Sequence, residues 1–395
     1  MTAPGVLAGI TVVSVEHAVA GPFATRQLAD LGARVIKIER PGRGDFARGY
    51  DTDVRGLSSH FVWLNRTKES LTLDLSRPAG RQVAHQLLAG ADVFVQNLAP
   101  GATGRLGLGA EELGERYPRL VRCDISGYGP TGPYRDKKAY DLLIQCETGL
   151  VSITGSPDAP ARAGIAVADI AAGMYAFAGI LTALFDRERT GVARQVEVSL
   201  FDALGEWMGF PAYRAAYTGR ELERTGARHP AIQPYGPFRA GDGRTVQLGI
   251  QNEREFERFC AEVLARPELA ADPRFASNEA RCEHLADLTA VIEDAFAGLT
   301  AEAVEARLDA VGIANASLNS VADFVAHPQL SARGRWREVD SPAGPVRALL
   351  PPATLSGVEP VLGPVPGVGE HTDAVLAELG YDQAAVTALR ADGVV

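Results

Sequence analysis

Cysteine is scarce in this sequence: four residues in 395, at positions 123, 146, 260 and 282. No two form a CxxC pair, so neither a disulfide frame nor a structural zinc site organises the chain. Lysine is scarcer than arginine, with only Lys37, Lys68, Lys137 and Lys138 against 35 Arg. In so Arg-biased a chain each lysine asks for a reason, chance included. Several signatures are missing altogether. The first predicted strand-to-helix turn, Glu16–Pro22, lacks GxGxxG, and no P-loop, HExxH or GxSxG occurs. Those absences argue against nicotinamide-dehydrogenase, NTPase, zincin and serine-hydrolase readings. The N-terminal MTAPGVLAG has no basic segment followed by an apolar core, so no signal peptide is expected. With isolated thiols, that points to a cytoplasmic protein.

Charge is unevenly placed. Residues 1–150 carry 18 Lys+Arg against 16 Asp+Glu, and residues 151–395 carry 21 against 33. The first part could take an anionic ligand, and the acidic whole argues against nucleic acid.

Strand candidates at Ile10–Val15, Val35–Glu39, Leu71–Leu75, Val93–Gln96, Leu120–Ser126 and Gln195–Ser199 alternate with helical segments at 24–31, 81–88 and 111–117. That alternation predicts an α/β fold with a doubly wound, mostly parallel, Rossmann-like sheet. Residues 206–232 read as a connection. A strand at 246–251 and helices at 253–264, 280–296 and 301–311 read as a smaller α+β domain. Ser341–Gly369 is rich in Pro and Gly and is expected to run extended over another surface. A short helix is expected at 372–379.

Only one long apolar run is present, Gly164–Phe185, and its single charge is Asp169. The pattern predicts a helix, apolar all round and therefore buried. The 16 uninterrupted apolar residues after Asp169 fall short of the ~20 that cross a membrane. Asp169 falls at the predicted N-cap. It could cap the first turn, act as a nucleophile or base, or do both, with the helix N-terminus keeping it ionised.

Six stretches carry a resemblance: EHAVAGPFATRQLADLGARVIKIERPGRGDFAR (16–48), LNRTKESLTLDL (64–75), VQNLAPGATGRLGLG (95–109), ISGYGPTGPYRDKKAYDLLIQCETGLVSITG (125–155), ADIAAGMYAFAGILTALFDRERTG (168–191) and GEHTDAVLAELG (369–380). Together the chain resembles the class III CoA-transferase family, of CaiB/BaiF type, which includes formyl-CoA transferase. The resemblance implies Asp169 as the catalytic carboxylate, acting through an aspartyl anhydride and an aspartyl-CoA thioester. It implies coenzyme A contacts at His17, Ala20, Arg40, Lys68, Asn97, Leu98, Arg105 and Lys138. Tyr50 and Tyr140 would line the acyl site, and Val19 stands where formyl-CoA transferase has a Gln. Arg48, close in sequence to Tyr50, is expected to pair with the distal carboxylate of a dicarboxylate acceptor.

By the same resemblance, coenzyme A esters are substrates rather than a permanently bound cofactor; with the charge, cysteine spacing and apolar length noted above, no metal, nucleic acid or membrane is expected. Two chains should interlock as a homodimer. Residues 1–205 would form the first part of the large domain, 206–232 a linker and 233–320 the small domain. Residues 321–395 would return to the large domain. An acyl-CoA racemase or isomerase of the same fold, and a non-catalytic acyl-CoA binder, remain the alternatives. A Tyr at 140, where racemases carry a His, favours transfer, since a phenol is a poor base at neutral pH.

Overall fold

Six short strands rich in Val and Ile pair side by side: β1 (Thr11–Val15), β2 (Arg34–Glu39), β3 (Lys68–Thr72), β4 (Val93–Gln96), β5 (Val121–Ser126) and β6 (Gln195–Ser199). Every pairing is parallel, in the order β3-β2-β1-β4-β5-β6. The order reverses between β1 and β4, which opens a crevice at their carboxyl ends, where doubly wound sheets bind ligands. The computed structural model describes residues 5–395. The first four, part of the stretch read above as lacking a signal peptide, lie outside the described residues.

Alternation along the strands feeds both faces of the sheet. Val13, Val15, Ile36, Ile38 and Phe94 enter a core with Leu87, Leu88, Leu113, Val375, Leu376 and Val386. Val12, Val35 and Val93 are equally buried but lie outside that cluster. Helix α1 (Ala20–Asp30) packs along the long helix α4 (Val167–Thr190). Two shorter helices matter below: α2 (Ser59–Asn65) and α3 (Asp141–Glu147). The edge of β3 is covered by the late chain. Thr67 N–H donates to the Pro364 carbonyl at 2.8 Å, and Thr72 N–H donates to Thr372 Oγ1 at 3.0 Å. Covering an edge removes a template for unwanted strand pairing.

The chain divides into two units, one of residues 5–149, 163–210 and 332–395, the other of 150–162 and 211–331. The second has its own antiparallel sheet, with Thr245–Gly249 between Tyr235–Arg239 and Ala314–Ser317. Its core draws on Phe256, Phe259, Phe275, Ile292 and Phe296.

Four expectations need correction. β3 begins at Lys68 rather than Leu71, because its polar residues are paired: Glu69 with Arg34, Ser70 with Glu39. The stretch read as a connection at 206–232 opens in helices, Leu200–Trp207 and Gly209–Thr218. The Pro/Gly-rich segment includes half a hairpin, Val346–Leu349 paired with Trp336–Val339. Helix α4 is not buried all round. Ala172, Ala176, Ile180 and Ala183 are buried, whereas Met174 and Tyr175 are each 39% exposed and Phe185 is 64% exposed. It is the only helix among the described residues long and apolar enough to cross a membrane.

Candidate active site

After β1 the chain turns through Glu16, His17, Ala18 and Val19 into α1. Ala18 has a φ of 59°, a left-handed conformation that costs an alanine roughly 1 kcal/mol. A buried polar network holds it there. The Asp45 carboxylate accepts from Ala18 N–H at 3.3 Å, Ala47 N–H at 2.9 Å and Lys37 Nζ at 2.7 Å. Asn97, at the end of β4, accepts from His17 N–H at 2.8 Å and donates to the His17 carbonyl at 2.9 Å, bracing the turn across the crevice. Glu16 is wholly buried and accepts from Thr25 Oγ1 at 2.9 Å and Lys68 Nζ at 2.8 Å. Burial opposes the charge on Lys37, but Asp45 and Glu16 outweigh it and its pKa rises. For Lys68 burial wins over Glu16, and the pKa is pushed down to about 8. Burial also lowers His17 against the pull of Asp45, with Lys37 and Arg40 adding to the effect, so its ring is neutral at pH 7.

Helix α4, which carries Asp169, packs on the start of α1. At Gly173 a methyl group would come within 2.8 Å of the Ala20 carbonyl, so the two helices touch backbone to backbone. Asp169 lies one turn earlier on the same face. It is not the N-cap; Ala166 is, and it makes no side-chain cap. The acceptor comes from α3 instead. Asp141 Oδ1 takes Ala168 N–H at 2.7 Å and Asp169 N–H at 3.4 Å. The expected stabilisation of ionised Asp169 by the helix end is therefore reversed. Burial, and then the Asp141 charge, push its pKa up to about 7.

The other candidates sort into three groups. A cleft of about 470 Å³ at the carboxyl ends of β1, β2 and β3 brings together His17, Arg40 and Leu98 over an apolar floor of Ile38, Leu73 and Leu106. Arg40 is exposed on its wall and has no partner among the described residues. Asn97, bound to His17, and Ala20, buried at the start of α1, lie beside it. Arg105 and Lys138 are exposed and do not line this cleft. On the acyl side, an aromatic row runs from His17 to Phe46 at 5.3 Å and from Phe46 to Tyr50 at 5.7 Å. Burial, then Asp45, Asp169 and Tyr140, raise the Tyr50 pKa, so each of the three lies within electrostatic reach of Tyr50. Tyr140 is 69% exposed, and Val19 is buried as the residue that precedes α1.

Two candidates are committed elsewhere. Lys68 cannot reach a phosphate: its ammonium is fully buried and bonded to Glu16, the Pro22 carbonyl and Asn65. Arg48 cannot meet a substrate carboxylate. It grips buried Glu39 in two parallel bonds of 2.9 and 2.7 Å, donates to the Pro366 carbonyl at 3.1 Å and stacks on Phe61. Burial alone would raise Glu39, but Arg48, Lys37 and Ser70 bring it down to about 2. Sequence reasoning gave no site role to Asp45, Lys37 or Asp141, although the scarcity of lysine had marked Lys37. Asp141, opening a short apolar run with Gln145 four residues on, had a readable helix-start signal.

CoA-transferase family III matches residues 7–372. The chain is similar to succinyl-CoA:glutarate CoA-transferase of Mus musculus, 33% identical with 98% of this chain and 90% of the relative covered. It is also 33% identical to succinate–glutarate CoA-transferase of Agrobacterium fabrum, covering 94% and 95%. The crystal structure of a CAIB/BAIF family protein from Brucella suis superposes with a TM-score of 0.86 at 35% identity, covering 95% and 100%.

Replacing Lys68 separates a structural role from a phosphate-binding one. Lys68→Met leaves Glu16 without its nearest cation and should cost about 3 kcal/mol in urea unfolding. Its dissociation constant for coenzyme A should stay within about threefold of wild type. A tenfold weaker affinity with unchanged stability would restore Lys68 as a phosphate ligand.

Proposed function

The chain belongs to CoA-transferase family III, and from that premise we propose that it moves coenzyme A from an acyl-CoA donor to a small dicarboxylate of succinate or glutarate type, with Asp169 as the nucleophile. The observation that carries the reading is the Asp169 carboxylate: no hydrogen-bond donor among the described residues holds it, its pKa is raised to about 7, and it sits one helical turn from Gly173, which packs on the first residue of α1, and within electrostatic reach of Tyr50. Relatives named for succinate and glutarate support the dicarboxylate class; Arg48 does not.

The steps follow covalent catalysis by a carboxylate. An Asp169 oxygen attacks the thioester carbonyl, the C–S bond breaks, and an anhydride and a coenzyme A thiolate result. The thiolate attacks Cγ of Asp169, expelling the donor as its carboxylate and leaving an aspartyl-CoA thioester. The acceptor carboxylate then attacks Cγ, releasing thiolate and forming a second anhydride. Thiolate attack on the acceptor's acyl carbon gives the new thioester and frees Asp169. Arg40 and the cleft beside His17 are suited to the phosphates and adenine of coenzyme A, and the aromatic row beside Tyr50 to the acyl group.

Wild-type protein given succinyl-CoA and then hydroxylamine should carry a hydroxamate on the peptide containing Asp169, and glutarate should become a coenzyme A ester. Asp169→Asn should lose transfer by at least about 1,000-fold while still binding coenzyme A. A hydroxamate elsewhere, or transfer by Asp169→Asn near the wild-type rate, would overturn the assignment.

The exposed face of α4 supports the second part of the proposal, an interlocked homodimer. Met174, Tyr175 and Phe185 form an apolar surface along this helix, and Phe201 and Trp207 are exposed on the Leu200–Trp207 helix. Such surface suits a permanent partner. Sedimentation at nanomolar concentration should give a dimer that does not dissociate without unfolding. A folded monomer would contradict it, as would an undisturbed dimer in the double variant Tyr175→Glu, Phe185→Glu.

A further inference from the structure

Two carboxylates meet at the start of α4, and only one bonds to the helix. The first-turn N–H groups of a helix have no partner within it and attract the nearest acceptor, ordinarily a side chain at the N-cap. Here Ala166 at the N-cap offers none. Asp141 supplies it from α3, with Oδ1 accepting from Ala168 N–H at 2.7 Å and Asp169 N–H at 3.4 Å. Its other oxygen accepts from Gln145 Nε2 at 2.7 Å. Gln145 is wholly buried, and its Oε1 accepts from Ala163 N–H at 2.9 Å, tying the loop before α4 to α3 as well. The Asp169 carboxylate has no hydrogen-bond donor among the described residues. Of the titratable groups, Asp141 at the head of α3 and Tyr50 on the segment after β2 lie within electrostatic reach of it, and neither is a cation.

We propose that Asp141 is a positioning residue for Asp169: by taking the free N–H groups of α4 and being held in turn by Gln145, it leaves the Asp169 carboxylate uncommitted and free to attack the thioester. The proposal rests on the reading of Asp169 as nucleophile. Asp141 answers the partial positive charge of the helix end with its own negative charge, so Asp169 does not receive the usual stabilisation of a first-turn acid. A carboxylate with fewer hydrogen bonds and a like charge nearby holds its electrons less tightly and is the better nucleophile.

The test is the rate of Asp169 hydroxamate formation from succinyl-CoA between pH 5 and 9, in wild type, Asp141→Asn and Asp141→Ala. Asp141→Asn keeps the acceptor oxygen and removes the charge. Its acid limb should move down by about one pH unit, with the affinity for coenzyme A within about threefold of wild type. Asp141→Ala leaves the helix N–H groups open, so Asp169 turns to cap them. Its acylation rate should fall about 10- to 100-fold, with Asn restoring most of the loss. A purely structural cap would be lost in Ala without moving the limb in Asn. A wild-type hydroxamate on Asp169 with the Asn limb unmoved would overturn the role of Asp141 alone. No hydroxamate on Asp169 in wild type would overturn the nucleophile, and this inference with it.

Discussion

Four buried charges under one turn hold the candidate site in place. Glu16, Lys37, Asp45 and Lys68 have fully buried side chains, and each ion removed from water costs several kcal/mol unless paired. Their mutual bonds offset that cost only in one geometry. In that geometry Asp45 also holds Ala18 in its left-handed conformation, and Asn97 locks His17 across the crevice. The turn cannot relax without leaving a buried charge unpaired. The scarcity of lysine then has a physical reading. Two of the four lysines are these compact ammonium groups, each enclosed by carboxylate and carbonyl oxygens where a planar guanidinium has a different shape and donor pattern.

The long helix depends on that turn. With Gly173 against the Ala20 carbonyl, α4 sits where no side chain could be accommodated, and Asp169 is fixed one helical turn away. On the proposed reading, Asp141 and Asp169 divide between them two roles that one carboxylate could otherwise fill, capping and reacting. Chemistry that passes through anhydrides and thioesters needs a carboxylate that is nucleophilic and shielded from water, and partial burial beside a second carboxylate supplies the first requirement.

The parallel sheet was legible because its strands are short apolar runs separated by helical periods; Val93–Gln96 and Gln195–Ser199 match to the residue. Asp169 was legible as the one charge in an apolar stretch. The polar partners were not. Nothing local in the sequence tells that Lys68 meets Glu16, 52 positions earlier, or that Asp141 reaches back-bone groups 27 and 28 positions later. Arg48 looked available because Glu39, nine positions before it, is a strand residue whose burial periodicity alone does not fix. The same limit holds for α4: apolar periodicity does not tell which of its apolar residues the chain itself buries.

The central claim is that Asp169 is ionised at a cost in the folded protein, and the stability of Asp169→Asn against wild type across pH tests it most directly. Its folded pKa of about 7 stands above the ordinary 3.8, so the folded state retains a proton that the unfolded state has lost between those values. The penalty is absent below pH 4, grows towards pH 7 and stays above it. The advantage of Asp169→Asn in urea unfolding should therefore rise from near zero at pH 4 to about 2 kcal/mol at pH 8, less than the full shift implies because the side chain is only half-buried. An advantage that is constant with pH, or that shrinks as pH rises, would contradict the account.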